Sequence, residues 1–116
     1  MSEIIGIGTD VIEIDRVISY CEKNSFFNKY YTEAERKIIE KRKNRAATNF
    51  AGKEAVVKAF GTGFLNCMPG DIEILRDDFG KPYVNLLGRA KKLAEDRGIV
   101  KIHISLSDTD KIATAF

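Results

Sequence analysis

The sequence predicts a single compact α+β domain over residues 1–116, with mostly antiparallel strands set around a long buried helix. Three observations lead there. Near both ends of the chain, at 4–12 and again at 102–107, side chains alternate with the two-residue period of a strand. Ile72-Glu73-Ile74-Leu75 and Tyr83-Val84-Asn85-Leu86 flank Asp77-Asp78-Phe79-Gly80-Lys81-Pro82, whose turn residues predict a hairpin. Residues 50–60 read as a helix with apolar or small side chains on every side, which is how a buried helix looks. No linker, repeat or low-complexity segment divides the chain.

A chain of 116 residues and 13.0 kDa has room for one modest core. Its 44% hydrophobic and 31% charged content is that of a soluble globular protein, and a net charge of +2 gives no field that would gather nucleic acid. Cys21 and Cys67 lie far apart with no Cys or His at zinc spacing, so both read as reduced thiols. Met1-Ser2-Glu3-Ile4-Ile5 has neither a basic start nor a long apolar segment, so membrane insertion and export are not indicated and a cytoplasmic location is expected.

In chain order, the strand at 4–12 puts Ile5, Ile7, Thr9 and Val11 on one face and Gly6, Gly8 and Asp10 on the other. Glycine in a strand marks a bulge or a close approach, so that face is either a ligand groove ending in one carboxylate or a bulge with a capping Asp. Gly6-Ile7-Gly8 lacks the third glycine and the βαβ setting of a dinucleotide site. Ile14, Val17, Ile18 and Cys21 predict an amphipathic helix over 15–23, with Arg16 and Lys23 toward water. Phe26-Phe27-Asn28-Lys29-Tyr30-Tyr31 has no clear period and reads as core or interface, since the RNA-binding sheet motifs are absent. Thr32-Glu33-Ala34-Glu35 fits a capping box opening a helix of about ten residues. That helix ends in the basic run Lys41-Arg42-Lys43-Asn44-Arg45, which is either a solvated face or an anion site. Residues 64–70 form a loop, Gly88 to Arg97 a short helix, and Ile112 to Phe116 a last strand. His103, the only histidine, lies on a polar strand face, where structural or merely exposed histidines are the rule, and no Gly-x-Ser-x-Gly elbow supports a hydrolase.

The 50–60 helix carries Lys53, Glu54 and Lys58 among its apolar residues and stops at Gly61-Thr62-Gly63. Glu54 and Lys58, four apart, could be an ordinary surface pair. Alternatively, a carboxylate flanked by two lysines and followed by a two-glycine turn suits a divalent cation beside a phosphate.

Two segments, Gly6-Ile7-Gly8-Thr9-Asp10-Val11-Ile12-Glu13-Ile14-Asp15-Arg16-Val17 and Phe50-Ala51-Gly52-Lys53-Glu54-Ala55 through Lys58-Ala59-Phe60-Gly61-Thr62-Gly63, resemble the signature segments of the holo-[acyl-carrier-protein] synthases, the small 4′-phosphopantetheinyl transferases. The likeness continues through Thr32–Glu35, Gly80-Lys81-Pro82-Tyr83 and His103-Ile104-Ser105-Leu106-Ser107 and covers essentially the whole chain. The resemblance implies a Mg²⁺-dependent enzyme that moves the 4′-phosphopantetheine arm of coenzyme A onto a serine of apo acyl carrier protein, in support of fatty acid biosynthesis. It implies a homotrimer with active sites at subunit interfaces, and it implies metal ligation by Asp10 and Glu54. On this reading the catalytic group is Asp10, Glu54 and Lys58, and the coenzyme is held by Lys53, Lys58, Gly61, Thr62, Gly63, Arg45 and Ser107. The lysines would neutralise developing charge and the glycines admit phosphate oxygens to backbone N–H groups. The basic run would seat the 3′-phosphate. The serine proton would go to Glu54, Glu35 or a metal-bound hydroxide. Arg16, Lys23 and Lys29 would receive the acidic carrier. The pattern departs at Asp108, where many members carry a histidine.

Two other readings compete. A non-catalytic nucleotide-binding module would use the same lysines and glycines without Asp10, Glu54 or a divalent ion. A purely structural trimeric scaffold would leave the charges of the 50–60 helix unexplained.

Overall fold

A computed structural model describes residues 3–116; Met1 and Ser2, on which part of the N-terminal reading falls, lie outside the described residues. The chain runs β1 (Asp10–Glu13), α1 (Ile14–Cys21), α2 (Asn24–Tyr30), α3 (Glu33–Lys41), α4 (Arg45–Phe60), β2 (Ile72–Arg76), β3 (Pro82–Leu86), α5 (Gly88–Asp96), β4 (Leu106–Asp108) and β5 (Ile112–Ala115), with two 3₁₀ turns between α4 and β2. The result is an α+β domain with antiparallel sheets: a three-stranded sheet in the order β1-β5-β4, and the β2-β3 hairpin. No helix among the described residues is long and apolar enough to cross a membrane.

α4 is the longest helix, and eleven of its residues are buried. One side closes a core with Ile14, Val17, Tyr31, Ile39 and Ala113, and the other closes a second with Cys67, Ile72, Ile74 and Ala90. Its alanines, glycine and valines let elements approach from several directions, the pattern of a helix that is enclosed rather than laid on a surface. It begins at Arg45, five residues before the predicted start. The basic run is divided: Arg42 closes α3, and the Arg45 N–H bonds back to the Arg42 carbonyl at 3.0 Å. Gly61 ends α4 at φ 76°, a conformation that favours glycine.

α3 opens on the predicted capping box. Thr32 Oγ1 accepts from the Glu35 N–H at 3.2 Å, and Glu35 Oε1 accepts from the Thr32 N–H at 3.1 Å. The aromatic segment without a period forms α2, seven residues long and with none of them fully buried.

The terminal strands are shorter than the alternation predicts. Asp10 and Leu106 both pair with Ala115, and Ser105 exchanges two backbone hydrogen bonds with Phe116. Residues 4–9 and 101–104 therefore border the sheet without belonging to it. The facing of 5–11 follows the alternation. Ile5, Ile7 and Val11 are exposed, and the glycine–aspartate side turns to α4.

Candidate functional site

The segment 6–10 lies directly on α4. A Cβ added at Gly6 would sit 2.0 Å from the Ala59 carbonyl oxygen, and one at Gly8 would sit 1.9 Å from that of Ala55. The two glycines thus admit the helix backbone, so the close approach read from the sequence is made by α4 rather than by a ligand. This contact carries Asp10, the first residue of β1, to the side of the helix bearing Lys58. Lys58 Nζ reaches the Asp10 carboxylate at 3.1 Å and the Thr9 carbonyl at 3.0 Å. Asp10 keeps 14% of its side-chain surface and Lys58 55%, so the carboxylate is recessed while the ammonium stays at the rim.

Glu54 lies one helical turn before Lys58 and does not pair with it; among the described residues it has no ion-pair partner. Among the described residues its one side-chain hydrogen bond is with Tyr30, whose hydroxyl donates to Glu54 Oε1 at 3.1 Å. Burial pushes the Tyr30 pKa well up, and the charges of Glu54, Asp10 and Glu35 add to that rise. Asp10 and the Thr9 carbonyl gather here around one lysine ammonium, with the Glu54 carboxylate one helical turn away on α4. Hard oxygen donors that already attract a cation are the donor set Mg²⁺ takes, with water and substrate oxygens filling its remaining positions. Among the described residues no group of three or more His, Cys, Asp or Glu gathers in this way, so the protein offers two carboxylates and no complete cage.

Lys53 faces the opposite way and is wholly buried. Its Nζ donates to Glu35 Oε1 at 2.7 Å, to the Pro69 carbonyl at 2.8 Å and to the Ile72 carbonyl at 2.5 Å. All three of its protons are engaged, so it cannot serve the coenzyme phosphates as the sequence reading held. Glu35, also fully buried, accepts from Lys53, the Thr32 and Ile74 N–H groups and Asn49 Nδ2, which removes it as a base. Burial raises the Glu35 pKa and lowers that of Lys53, while the charge of each opposes the other's shift. Asn49 continues the network to Arg76, which donates to Asn49 Oδ1 at 3.0 Å and Thr48 Oγ1 at 3.3 Å. Burial and the neighbouring Arg45 charge lower the Arg76 pKa to about 10, against the pull of Glu35 and Asp108.

The other predicted coenzyme residues are dispersed. The Gly61 N–H is bonded to the Val57 and Lys58 carbonyls, so it is not free for a phosphate oxygen; Gly61 and Gly63 answer a positive φ instead. Thr62 Oγ1 donates to the Gly63 carbonyl at 3.2 Å. Arg45 is nine residues before Glu54, about 13 Å away along the helix axis. Ser107 pairs with Thr114 on the exposed face of the sheet, whereas Asp10 is on the helix side. Within one chain, then, Asp10, Glu54 and Lys58 are brought together, and Arg45, Ser107 and Lys53 are not. Sequence reasoning missed Tyr30, which an aperiodic aromatic run gives no means of singling out.

The sequence model of the 4′-phosphopantetheinyl transferase superfamily matches residues 6–115. A curated relative, the holo-[acyl-carrier-protein] synthase of Lachnoclostridium phytofermentans, is 51% identical over 113 residues, covering 97% of this chain and 93% of that one. Among solved structures, holo-[acyl-carrier-protein] synthase from Neisseria meningitidis superposes with a TM-score of 0.88 at 31% identity, over 97% of this chain and 95% of that one. A holo-(acyl-carrier-protein) synthase from Bacillus anthracis in complex with CoA (3′,5′-ADP) gives 0.79 at 31% identity, over 98% and 94%.

Proposed function

This chain belongs to the 4′-phosphopantetheinyl transferase superfamily and transfers the 4′-phosphopantetheine group of coenzyme A to a serine of apo acyl carrier protein, and we propose that Asp10 and Glu54 hold a Mg²⁺ ion for that transfer. The observation that carries the proposal is the meeting of Asp10, the Thr9 carbonyl and Lys58 Nζ beside Glu54, a cation-seeking cluster at the foot of β1. When bound, Mg²⁺ would neutralise charge building on the pyrophosphate oxygens.

In the reaction the carrier's serine oxygen bonds to the phosphorus that bears pantetheine. The bond to the bridging oxygen breaks, and adenosine 3′,5′-bisphosphate departs. The protein's part is orientation and electrostatics, because the nucleophile comes from the partner. Lys58, half exposed at the rim, meets the anionic coenzyme, while Lys53 and Glu35 serve the core beneath. Arg45, with Lys41 and Lys43, is the seat for the 3′-phosphate. Exposed Arg16, Lys23 and Lys29 receive the acidic carrier. The holo carrier produced serves fatty acid biosynthesis in the cytoplasm.

The working form in this proposal is a homotrimer with its sites at subunit interfaces. Two observations support it. Val11, Ile112 and Phe116 leave an apolar outer face on the three-stranded sheet, with Ile5 and Ile7 continuing it. Ser107 lies on that same face, so a neighbouring copy could bring its Ser107 to a coenzyme held at Asp10 and Glu54.

The test is mass spectrometry of apo acyl carrier protein incubated with the protein, coenzyme A and Mg²⁺. The carrier gains one phosphopantetheine unit, and the gain is lost with EDTA and in Asp10→Ala and Glu54→Ala variants. Transfer that survives both substitutions would remove the metal assignment. Coenzyme A binding without transfer to any carrier would favour a binding module.

A further inference from the structure

We infer that Tyr30 is a positioning residue for the metal-binding carboxylate: its hydroxyl fixes Glu54 Oε1 and leaves Oε2 turned to the cation. The inference rests on the proposal that Glu54 is a metal ligand.

The geometry has three parts. The Tyr30 ring is stacked on both sides, against Phe26 at 4.8 Å between centroids and 20° between planes, and against Phe50 at 4.9 Å and 7°. Phe50 is four residues before Glu54 on α4, so one helix carries both the ring that fixes the phenol and the carboxylate the phenol holds. The phenol is also near the buried Lys53 ammonium, 5.8 Å from the ring centroid, and Lys53 is itself held by Glu35 and two carbonyls. A ring pinned this way has little torsional freedom, and its hydroxyl is aimed at one oxygen.

That hydroxyl is the only hydrogen-bond partner of the Glu54 side chain among the described residues. Without it Glu54 is a half-exposed glutamate free to sample several rotamers. With it, one oxygen is occupied and the second is left for a cation, one helical turn from Lys58 and its pairing with Asp10. Partners that orient metal-binding groups typically change metal affinity 10–100-fold when removed. The arrangement also gives the buried Lys53–Glu35 pair a bearing on the site: it braces the floor under Tyr30 without touching substrate.

The experiment titrates Mn²⁺ into the full-length protein with coenzyme A present, reading free Mn²⁺ by electron paramagnetic resonance. Wild type, Tyr30→Phe and Glu54→Gln are compared. Tyr30→Phe keeps the ring stack and removes only the hydroxyl. Its Kd for Mn²⁺ should rise about tenfold, with the circular dichroism spectrum unchanged. Activity should need correspondingly more Mg²⁺, recover toward wild type when Mg²⁺ saturates, and keep the wild-type KM for the carrier; a merely structural role would not give that split. Wild-type Mn²⁺ affinity in Tyr30→Phe, with Glu54→Gln weakened, overturns the positioning role alone. Wild-type affinity in Glu54→Gln overturns the metal assignment and this inference with it.

Discussion

Replacing Lys53 by Met tests whether this lysine serves the core or the coenzyme. The substitution keeps the aliphatic length and removes an ammonium that is wholly buried and makes three hydrogen bonds. Glu35 is then a buried carboxylate without its counter-ion, and the Pro69 and Ile72 carbonyls each lose a donor. Breaking a buried pair by removing one partner costs about 3–5 kcal/mol, against a total stability of about 5–15 kcal/mol for a domain. The variant should therefore lose about a fifth or more of its stability. Urea unfolding followed by circular dichroism, at one protein concentration, measures the loss. The double variant Lys53→Met/Glu35→Leu removes both charges and should recover most of it. The pH dependence gives a second handle. Burial already raises the Glu35 pKa, and Lys53 is the main group holding it down. Without Lys53 the folded carboxyl holds its proton to higher pH than the unfolded one. That contribution is fully present below the unfolded value and is lost as pH rises through the folded one, so Lys53→Met should be more stable in mild acid than at neutral pH. A loss under about 1 kcal/mol accompanied by a large rise in the KM for coenzyme A would refute the reasoning and return Lys53 to the phosphates.

Val11→Glu places a charge in the exposed apolar face of the three-stranded sheet and should convert a trimer to monomer by light scattering, with activity lost in parallel. Arg45→Gln should raise the KM for coenzyme A several-fold while raising stability by less than about 1 kcal/mol, because it removes a like charge beside half-buried Arg76; steady-state kinetics and urea titration read the two effects separately. Arg16→Glu should raise the KM for the carrier several-fold and leave that for coenzyme A unchanged, with the difference shrinking at high salt.

Much of the architecture follows from periods that local physics enforces. The Thr32–Glu35 capping box, the 72–86 hairpin and the helix stop at Gly61 are decided within a few residues, and all three are legible in the sequence. The facing of Gly6, Gly8 and Asp10 is legible too, but not what fills it. A glycine records that something comes close, and only the fold identifies that something as the α4 backbone. Lys53 and Glu54 are adjacent on a helix buried almost all round, so their directions are set by partners 16 to 24 residues away in sequence, with Glu35 and Pro69 for the first and Tyr30 for the second. Composition and spacing cannot assign those partners. Tyr30 shows the same limit, since its function lies in a hydroxyl that meets α4 only after α2 has docked.

In the proposed site one metal ion joins Asp10 to Glu54 beside the coenzyme. Crystals grown with coenzyme A and Mn²⁺, measured at a wavelength where manganese scatters anomalously, test it most directly. One anomalous peak is expected about 2.0–2.3 Å from a carboxylate oxygen of each residue, with Lys58 Nζ withdrawn from Asp10. A peak bound to the coenzyme alone, or to other side chains while Lys58 stays on Asp10, would contradict it.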